Sequence, residues 1–328
     1  MTRKGLQRSY GLRSRRRSVA LLVLLLALAP FPAAASDLQR TLAIGGIERS
    51  YSLHLPQGSE TKAGMALVVV LHGGGGNSET AARQTHFRPE ADRAGFIVAY
   101  PDGTGAAGMR GKARRLTWNA GGCCAYAMAH GVDDVAFIRA MVDAIAREHA
   151  VDRRRVYATG LSNGAMMAYR LACEASDVFA AVGIVAGVVV TAPCAPAEPV
   201  AVIHIHGSAD ENVPLAGGVG RKSLTRTAYP PVADSIALWV RADRCSAQPV
   251  QTQPKPGLVE TMYQGCGSGS AVVFDQIDGG GHSWPGGERM AFFLDPPSSA
   301  MAATPAIQRF FAAHPRRRAD SPPRGSRQ

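Results

Sequence analysis

The chain reads YATGLSNGAMM over residues 157–167. An apolar run typical of a buried strand ends at Gly160, and residues that favour a helix follow Gly164. This arrangement places Ser162 on a tight turn between a strand and a helix, flanked by two residues that have no Cβ. A serine hydroxyl held clear of the backbone can act as a nucleophile when a base and amide donors lie beside it. The stretch therefore predicts a nucleophile elbow.

Strand-like and helix-like stretches alternate along most of the chain. Continuous apolar runs predict buried strands, and apolar residues at helical spacing predict helices. After a hairpin over residues 40–56, the predicted strands are 65–71, 95–100, 155–159, 179–185, 200–205 and 272–277. The predicted helices are 133–150, 165–173, 232–244 and 304–314. This alternation predicts an α/β fold with a mostly parallel sheet and helices on both faces.

A run of four glycines, in HGGGGN at residues 72–77, follows one of the buried strands. Glycines in this place leave backbone N–H groups uncovered at the carboxyl edge of the sheet. We therefore expect Gly73 or Gly74 to contribute to an oxyanion hole. A flexible linker or a phosphate-binding loop is the alternative, but the latter would end in Gly-Lys-Ser/Thr, which this stretch does not.

A general base and an orienting acid are expected on loops after later strands. Asp210 follows the strand over 200–205, and His282 lies in a glycine-rich loop after the last strand. In the order Ser162, Asp210, His282 they predict a triad in which the histidine takes the hydroxyl proton and the aspartate fixes its tautomer. Asp278 is the rival acid, although it lies close to the histidine in sequence, and Asp210 could instead only cap a turn.

Two further pairs of side chains need an interpretation. His204 and His206 alternate along one strand, but two histidines are too few for a metal site, so we predict a packed or supporting role and no metal. Trp118 and Trp284 lie in glycine-rich loops that this topology places at the catalytic edge. We predict that they form walls of the substrate pocket, the alternative being aromatic residues of the core.

The first 35 residues resemble an export signal. Seven basic residues between Arg3 and Arg17 precede an apolar run over 19–28 and three alanines at 33–35. We predict cleavage before Ser36 and secretion, by the general route rather than the twin-arginine route that Arg15-Arg16 suggests. The apolar run is short for a membrane span, so a retained anchor is the lesser alternative.

The formal charge of +11 arises at the two ends of the chain. Of 36 Lys and Arg and 25 Asp and Glu, seven basic residues lie in the leader, and five Arg and one Asp lie after residue 315. The residues between carry 24 of each sign, so the charge does not indicate nucleic-acid binding. We predict one catalytic domain over residues 36–314 and a disordered basic tail over 315–328.

Cysteines in an exported chain indicate disulfides, with buried free thiols as the alternative. The six are Cys123, Cys124, Cys173, Cys194, Cys245 and Cys266. We predict a bond between Cys245 and Cys266, which would tie the end of a helix to the segment before the last strand. The adjacent Cys123 and Cys124 are expected to pair with different partners more readily than with each other.

Seven motifs together resemble the esterases of the polyhydroxybutyrate depolymerase family, which are similar to the feruloyl and acetyl xylan esterases of carbohydrate esterase family one. They are HGGGGN at 72–77, YPDG at 100–103, WNAGGCC at 118–124, GVDDV at 131–135, GLSNG at 160–164, HGSAD at 206–210 and GGHSWPGG at 280–287. The resemblance covers roughly residues 38–314. It implies an α/β-hydrolase with the triad Ser162, Asp210 and His282, the N–H of Asn163 in the oxyanion hole, no cofactor, and extracellular ester hydrolysis.

Together, the residues and the resemblance predict a secreted serine carboxylesterase for feruloyl, acetyl or short hydroxyalkanoate esters, free or attached to a polysaccharide or polyester. Depolymerases of this kind often carry a C-terminal polymer-binding domain where this chain has a short tail, so we expect soluble esters to be preferred over polymer. A depolymerase acting on polymer, a catalytically silent binding module and a metal-dependent hydrolase are the alternatives. Neither nucleic-acid binding nor stable membrane insertion is expected.

Overall fold

A computed structural model shows how the chain folds. It describes residues 1–2, 5, 35–59, 62–106, 115–223, 225–290 and 294–317. The predicted export signal lies almost wholly outside these residues, and so does the tail after residue 317. The described residues from 35 onward belong to one compact body.

The body is built on a ten-stranded sheet. Its strands are β1 Ser36–Ile44, β2 Ile47–Leu55, β3 Met65–Leu71, β4 Ile97–Pro101, β5 Val151–Leu161, β6 Ala181–Val185, β7 Ala201–Gly207, β8 Val250–Lys255, β9 Leu258–Tyr263 and β10 Val272–Ile277. The spatial order is β1-β2-β4-β3-β5-β6-β7-β10-β9-β8. Neighbouring strands from β4 to β10 in this order are parallel, and an antiparallel hairpin closes each side. The predicted, mostly parallel α/β architecture is therefore confirmed.

Helices cover both faces of this sheet. They are α1 Ser78–Thr85, α2 Phe87–Ala94, α3 Ala125–Ala129, α4 Asp134–Glu148, α5 Asn163–Glu174, α6 Val232–Ala242 and α7 Ala303–Ala313. Alternate residues of β3 face opposite ways: Leu67 and Val69 pack in the core with α4, α5 and α6, whereas Val68 and Val70 pack with α1, α2 and α7. Because side chains of a strand alternate between faces, a strand covered on both must be apolar throughout.

A buried ion pair joins the first hairpin to the long loop before α4. Arg49 on β2 donates to the Asp134 carboxylate at 2.7 Å, and its guanidinium lies 4.1 Å from the centre of the Phe137 ring. The second oxygen of Asp134 accepts from the backbone N–H of Asn119 at 2.7 Å. The loop that contains Trp118 is therefore held in place by a charge pair that is shielded from solvent.

Three disulfides join the six cysteines, and none of the six is free. The predicted bond between Cys245 and Cys266 is present and ties the segment after α6 to the segment before β10. Cys173 is bonded to Cys194. The expectation that Cys123 and Cys124 have different partners is wrong, because the two are bonded to each other.

The first three residues of the predicted tail contact the body. Residues 315–317 are described, and the backbone N–H of Arg316 donates to the carbonyl of Arg154 at 2.8 Å. The Arg316 guanidinium also donates to the carbonyls of Ser176 and Asp177. The chain therefore stays on the body for three residues beyond the predicted domain end.

Candidate active site

Ser162 lies between β5 and α5 with φ 57° and ψ −122°. These angles are costly for a residue with a Cβ, so the surrounding structure must hold the turn. A Cβ on Gly160 would lie 2.6 Å from the carbonyl carbon of Gly164, and a Cβ on Gly164 would collide with the Leu71 carbonyl oxygen. The two glycines that flank the serine are thus required by close packing of strand against helix. The elbow predicted from the sequence is present in the backbone.

The predicted acid and the predicted base follow neighbouring parallel strands. Asp210 follows β7 and His282 follows β10, and His282 Nδ1 lies 2.7 Å from Asp210 Oδ2. The two loops approach each other so closely that a Cβ on Gly207 would overlap the Gly280 backbone. Asp278 instead accepts a hydrogen bond from the Ser208 hydroxyl at 3.2 Å. The geometry therefore joins His282 to Asp210 and not to the rival acid.

The Asp210 carboxylate is buried and saturated with donors. Its Oδ1 accepts from the backbone N–H groups of Asn212 at 2.8 Å and Val213 at 2.9 Å. Burial acts to raise the pKa of Asp210, but the nearby His282 and His206 rings and the Val213 N–H outweigh it, so the pKa is lowered. The carboxylate is therefore ionised at neutral pH and fixed in direction.

Two backbone amides beside Ser162 have no acceptor among the described residues. They belong to Gly73 and Gly74, in the loop after β3. A Cβ built on Gly73 would lie 3.8 Å from Ser162 Cβ, and one on Gly74 would lie 3.6 Å from Asn163 Cβ. The loop therefore packs against the Ser162 turn, and uncovered N–H groups in such a loop can bind a developing oxyanion.

The Trp118 side chain supports this loop from below. Its Nε1–H donates to the His72 carbonyl at 3.0 Å, while its backbone N–H donates to Asn163 Oδ1 at 2.7 Å and its carbonyl accepts from Asn163 Nδ2 at 3.0 Å. The ring is fully buried. The prediction that Trp118 forms a pocket wall is therefore wrong, since it joins the glycine loop to the elbow instead.

The His72 ring is neutral and fixed. Its Nε2 accepts from the Gly103 N–H at 3.0 Å, so Nδ1 carries the proton and donates to the Gly73 carbonyl at 2.8 Å. Burial lowers the pKa of His72 to about 4, against the smaller opposing effect of the Gly73 carbonyl. The ring thus holds the glycine loop in one conformation and carries no charge near the site.

Two residues that the sequence did not single out hold the His282 loop. Asp295 Oδ2 accepts from the His282 backbone N–H at 2.8 Å, and Asp295 Oδ1 accepts from Lys222 Nζ at 2.8 Å. Lys222 also lies 3.1 Å from Glu211, the neighbour of Asp210 in sequence. Burial acts to raise the pKa of Asp295, but Lys222 and the His282 N–H outweigh it, so the pKa is lowered. No motif marks these residues, because their link to His282 arises only in the folded chain.

Trp284 also lies in the core and not on a pocket wall, so that prediction is wrong. Its side chain is 1% exposed, its ring centre lies 6.2 Å from that of Phe87, and Nε1–H donates to Thr304 Oγ1 at 3.0 Å. The residue ties the His282 loop to α2 and α7. Its contribution is therefore expected to be to stability.

Replacing Trp284 by alanine should lower the free energy of unfolding by about 3–5 kcal/mol, because the cavity and the lost apolar contact add. Trp284→Phe is the matched control: it keeps an aromatic ring and loses the bond to Thr304, so it should cost about 1–2 kcal/mol. Urea denaturation of both variants measures these differences. Unchanged stability with weaker binding of aryl esters would restore the pocket-wall interpretation.

Two other properties of the described residues concern a membrane-spanning helix and a metal site. No helix among them is long and apolar enough to cross a membrane. No group of three or more His, Cys, Asp or Glu side chains in the same part of the chain is placed to hold a metal ion.

The relatives that comparison with known proteins finds are named as esterases. The profile of the family described as Esterase PHB depolymerase matches residues 49–238. The proposed esterase NocK of Nocardia uniformis subsp. tsuyamanensis is 33% identical over 271 residues, covering 77% of this chain and 75% of that protein. Feruloyl esterase C of Emericella nidulans is 30% identical over 240 residues, covering 71% and 76% of the two chains.

The acetyl xylan esterase from Aspergillus awamori has a similar solved structure. It superposes with a TM-score of 0.57 at 15% identity, covering 84% of this chain and 99% of that one. At this identity the likeness shows the fold alone, and the fold is that of an α/β-hydrolase.

Proposed function

The chain belongs to the Esterase PHB depolymerase family, and on that premise we propose that it is a secreted serine carboxylesterase that forms an acyl-enzyme on Ser162. The observation that carries the proposal is the 2.7 Å hydrogen bond between His282 Nδ1 and Asp210 Oδ2. It lies at the carboxyl edge of the sheet, where the strained Ser162 turn also lies. Three side chains of the right chemistry therefore follow the carboxyl ends of three strands of one sheet.

In the proposed first half-reaction, Ser162 Oγ attacks the ester carbonyl. Because His282 Nδ1–H is bound to the Asp210 carboxylate, the lone pair on Nε2 is available to take the hydroxyl proton. The amides of Gly73 or Gly74 and of Asn163 stabilise the charge on the carbonyl oxygen. His282 then returns the proton to the leaving alcohol, and the acyl group stays on Ser162.

In the second half-reaction, water replaces the alcohol. His282 takes a proton from the water as it attacks the acyl-enzyme, and then returns that proton to Ser162 Oγ as the carboxylic acid leaves. The Asp210 carboxylate stabilises the imidazolium in both steps and stays ionised. This cycle uses no group beyond the residues of the chain and water.

We propose aryl and short-chain esters as substrates. The support is the name of the relative from Emericella nidulans, a feruloyl esterase. Secretion is proposed from the leader-like first 35 residues and from the three disulfides, since disulfides persist in oxidising compartments.

The test is a substrate panel offered to the purified mature chain and to its Ser162→Ala variant. We expect kcat/KM to be higher for methyl ferulate, p-nitrophenyl butyrate or hydroxybutyrate oligomers than any rate on crystalline polyhydroxybutyrate. The Ser162→Ala variant should be inactive on all of them, and a chelator should not reduce the rate. Clearing of a crystalline polyhydroxybutyrate suspension without aryl-ester activity would favour the depolymerase alternative, and no turnover at all would favour a binding module.

A further inference from the structure

A chain of hydrogen bonds leads from the core to a histidine ring that lies beside the proposed acid. Tyr169 Oη on α5 lies 2.7 Å from His204 Nδ1, and His204 Nε2 lies 3.1 Å from His206 Nδ1, both histidines being on β7. All three side chains are buried, with at most 1% exposed. Buried polar groups of this kind must satisfy one another, because water does not reach them.

The proton on each ring follows from the end of the chain. His206 Nε2 lies 2.9 Å from the carbonyl of Val213, which can only accept, so Nε2 carries the proton. His206 Nδ1 then accepts from His204 Nε2–H, and His204 Nδ1 accepts from the Tyr169 hydroxyl. Every ring nitrogen is occupied, and both rings are neutral in the same tautomer.

The same His206 Nε2 lies 3.4 Å from Asp210 Oδ2, the oxygen that also binds His282 at 2.7 Å. Two imidazole rings therefore lie beside one carboxylate oxygen: His282 donates to it, whereas the Nε2–H of His206 donates to the Val213 carbonyl. If His206 became charged, it would be a second cation beside that oxygen. Asp210 would then stabilise the His282 imidazolium less. The arrangement needs one of the two rings to stay neutral.

We propose that Tyr169, His204 and His206 are positioning residues that hold His206 as a neutral donor beside Asp210, so that the proton from Ser162 is held on His282 alone. This inference rests on the proposed triad. The proton moves only between Ser162 Oγ, His282 Nε2 and the substrate, and none passes along the buried chain. Burial lowers the pKa of His204, with the nearby His206 adding to the effect. Burial also lowers the pKa of His206, against the opposing charge of Asp210.

The first test observes the protons directly. Ring nitrogens of the ¹⁵N-histidine-labelled protein should show His204 and His206 with a protonated Nε2 and an unprotonated Nδ1 between about pH 5 and pH 8. His206→Gln and His282→Gln variants assign the signals. Uptake of a second proton by either buried ring in this range, or the opposite tautomer, would overturn the proposal.

The second test compares two replacements of His206. Leucine removes both hydrogen bonds, so kcat should fall about tenfold or more with KM little changed. Glutamine keeps a donor for the Val213 carbonyl and an acceptor for His204, so kcat should return to within about threefold of the parent chain. Equal losses in both variants would mean that the ring only fills space, and a normal kcat for His206→Leu would remove its role.

Tyr169→Phe probes the far end of the chain in case His206→Leu fails to fold. It should lower kcat by about threefold and shift the His204 Nδ1 resonance, because that nitrogen loses its donor. Unchanged kcat together with an unchanged resonance would exclude the hydroxyl from the chain.

Titration with a fluorophosphonate separates failure of this inference from failure of the proposed function. Counting labelled Ser162 normalises kcat to the folded, competent fraction in each variant. If the parent chain is labelled elsewhere, the proposed triad is wrong whatever the buried rings show. If Ser162 is labelled and the variants behave alike, only the positioning role is wrong.

Discussion

Replacement of Ser162 by alanine is expected to lower ester hydrolysis by about 10⁴-fold or more without loss of the fold, because no acyl-enzyme can form. The change removes one oxygen and leaves the Cβ in its turn. Any rate that remains would come from the oxyanion amides and substrate binding. Hydrolysis of p-nitrophenyl acetate and covalent labelling by a fluorophosphonate measure the loss.

Ser162→Gly makes a matched control, because it removes the hydroxyl and also the backbone strain. At φ 57° and ψ −122° a residue with a Cβ is held in a costly conformation that glycine adopts freely. Both variants should therefore be inactive, while Ser162→Gly should be more stable than Ser162→Ala by about 1 kcal/mol in urea denaturation. A variant that still takes the label would place the nucleophile elsewhere.

The central strands could be predicted because the sheet buries them on both faces. The predicted bounds 65–71 and 272–277 are those of β3 and β10. Residues of β3 alternate between two cores, so each must be apolar and the run is continuous. Burial requires an apolar side chain at every position of such a strand, and this requirement is visible in the sequence.

Helices α1 and α2 and the hairpin of β8 and β9 were not predicted, because tertiary contacts stabilise them. Helices α1 and α2 are eight residues each and rich in charged residues, too short to be stable alone. Asn77 caps α1 by accepting from the Thr80 N–H at 2.9 Å, and His86, with φ 57°, joins the two helices. The hairpin of β8 and β9 has a first strand exposed throughout, so it carries no alternating apolar pattern.

In the candidate site, too, the sequence predicts which residues follow strands but not the contacts that form only in the folded chain. Ser162, Asp210 and His282 could be predicted because each follows a predicted strand, and the carboxyl ends of parallel strands lie at one edge of the sheet. The direction of a side chain within a loop is not encoded locally, which is why Trp118 and Trp284 were predicted on pocket walls and lie in the core. Partners such as Asp295, 13 residues from His282, become visible only once the loops are packed.

Asp210→Asn is the second change for which a very large effect is expected, a loss on the order of 10⁴ in kcat. The oxygen of the introduced amide can keep the two hydrogen bonds from the Asn212 and Val213 N–H groups, which turns the amide nitrogen toward His282. An amide N–H facing His282 Nδ1 forces that nitrogen to accept, so the ring proton moves to Nε2. The ring then has no lone pair for the Ser162 proton.

Asp278→Asn is the matched control, since it makes the same chemical change at the rival acid. Asp278 binds the Ser208 hydroxyl near the surface, so its variant should keep kcat within about twofold. Steady-state rates of the two variants, each normalised to the amount of Ser162 that a fluorophosphonate labels, make the comparison independent of folding yield.

Both residues follow strands that neighbour each other at the same edge of the sheet. A nearly silent Asp210→Asn beside a strongly impaired Asp278→Asn would therefore assign the role of the acid to Asp278. It would also remove the basis for the proposed role of Tyr169, His204 and His206, because that role depends on His206 lying beside Asp210.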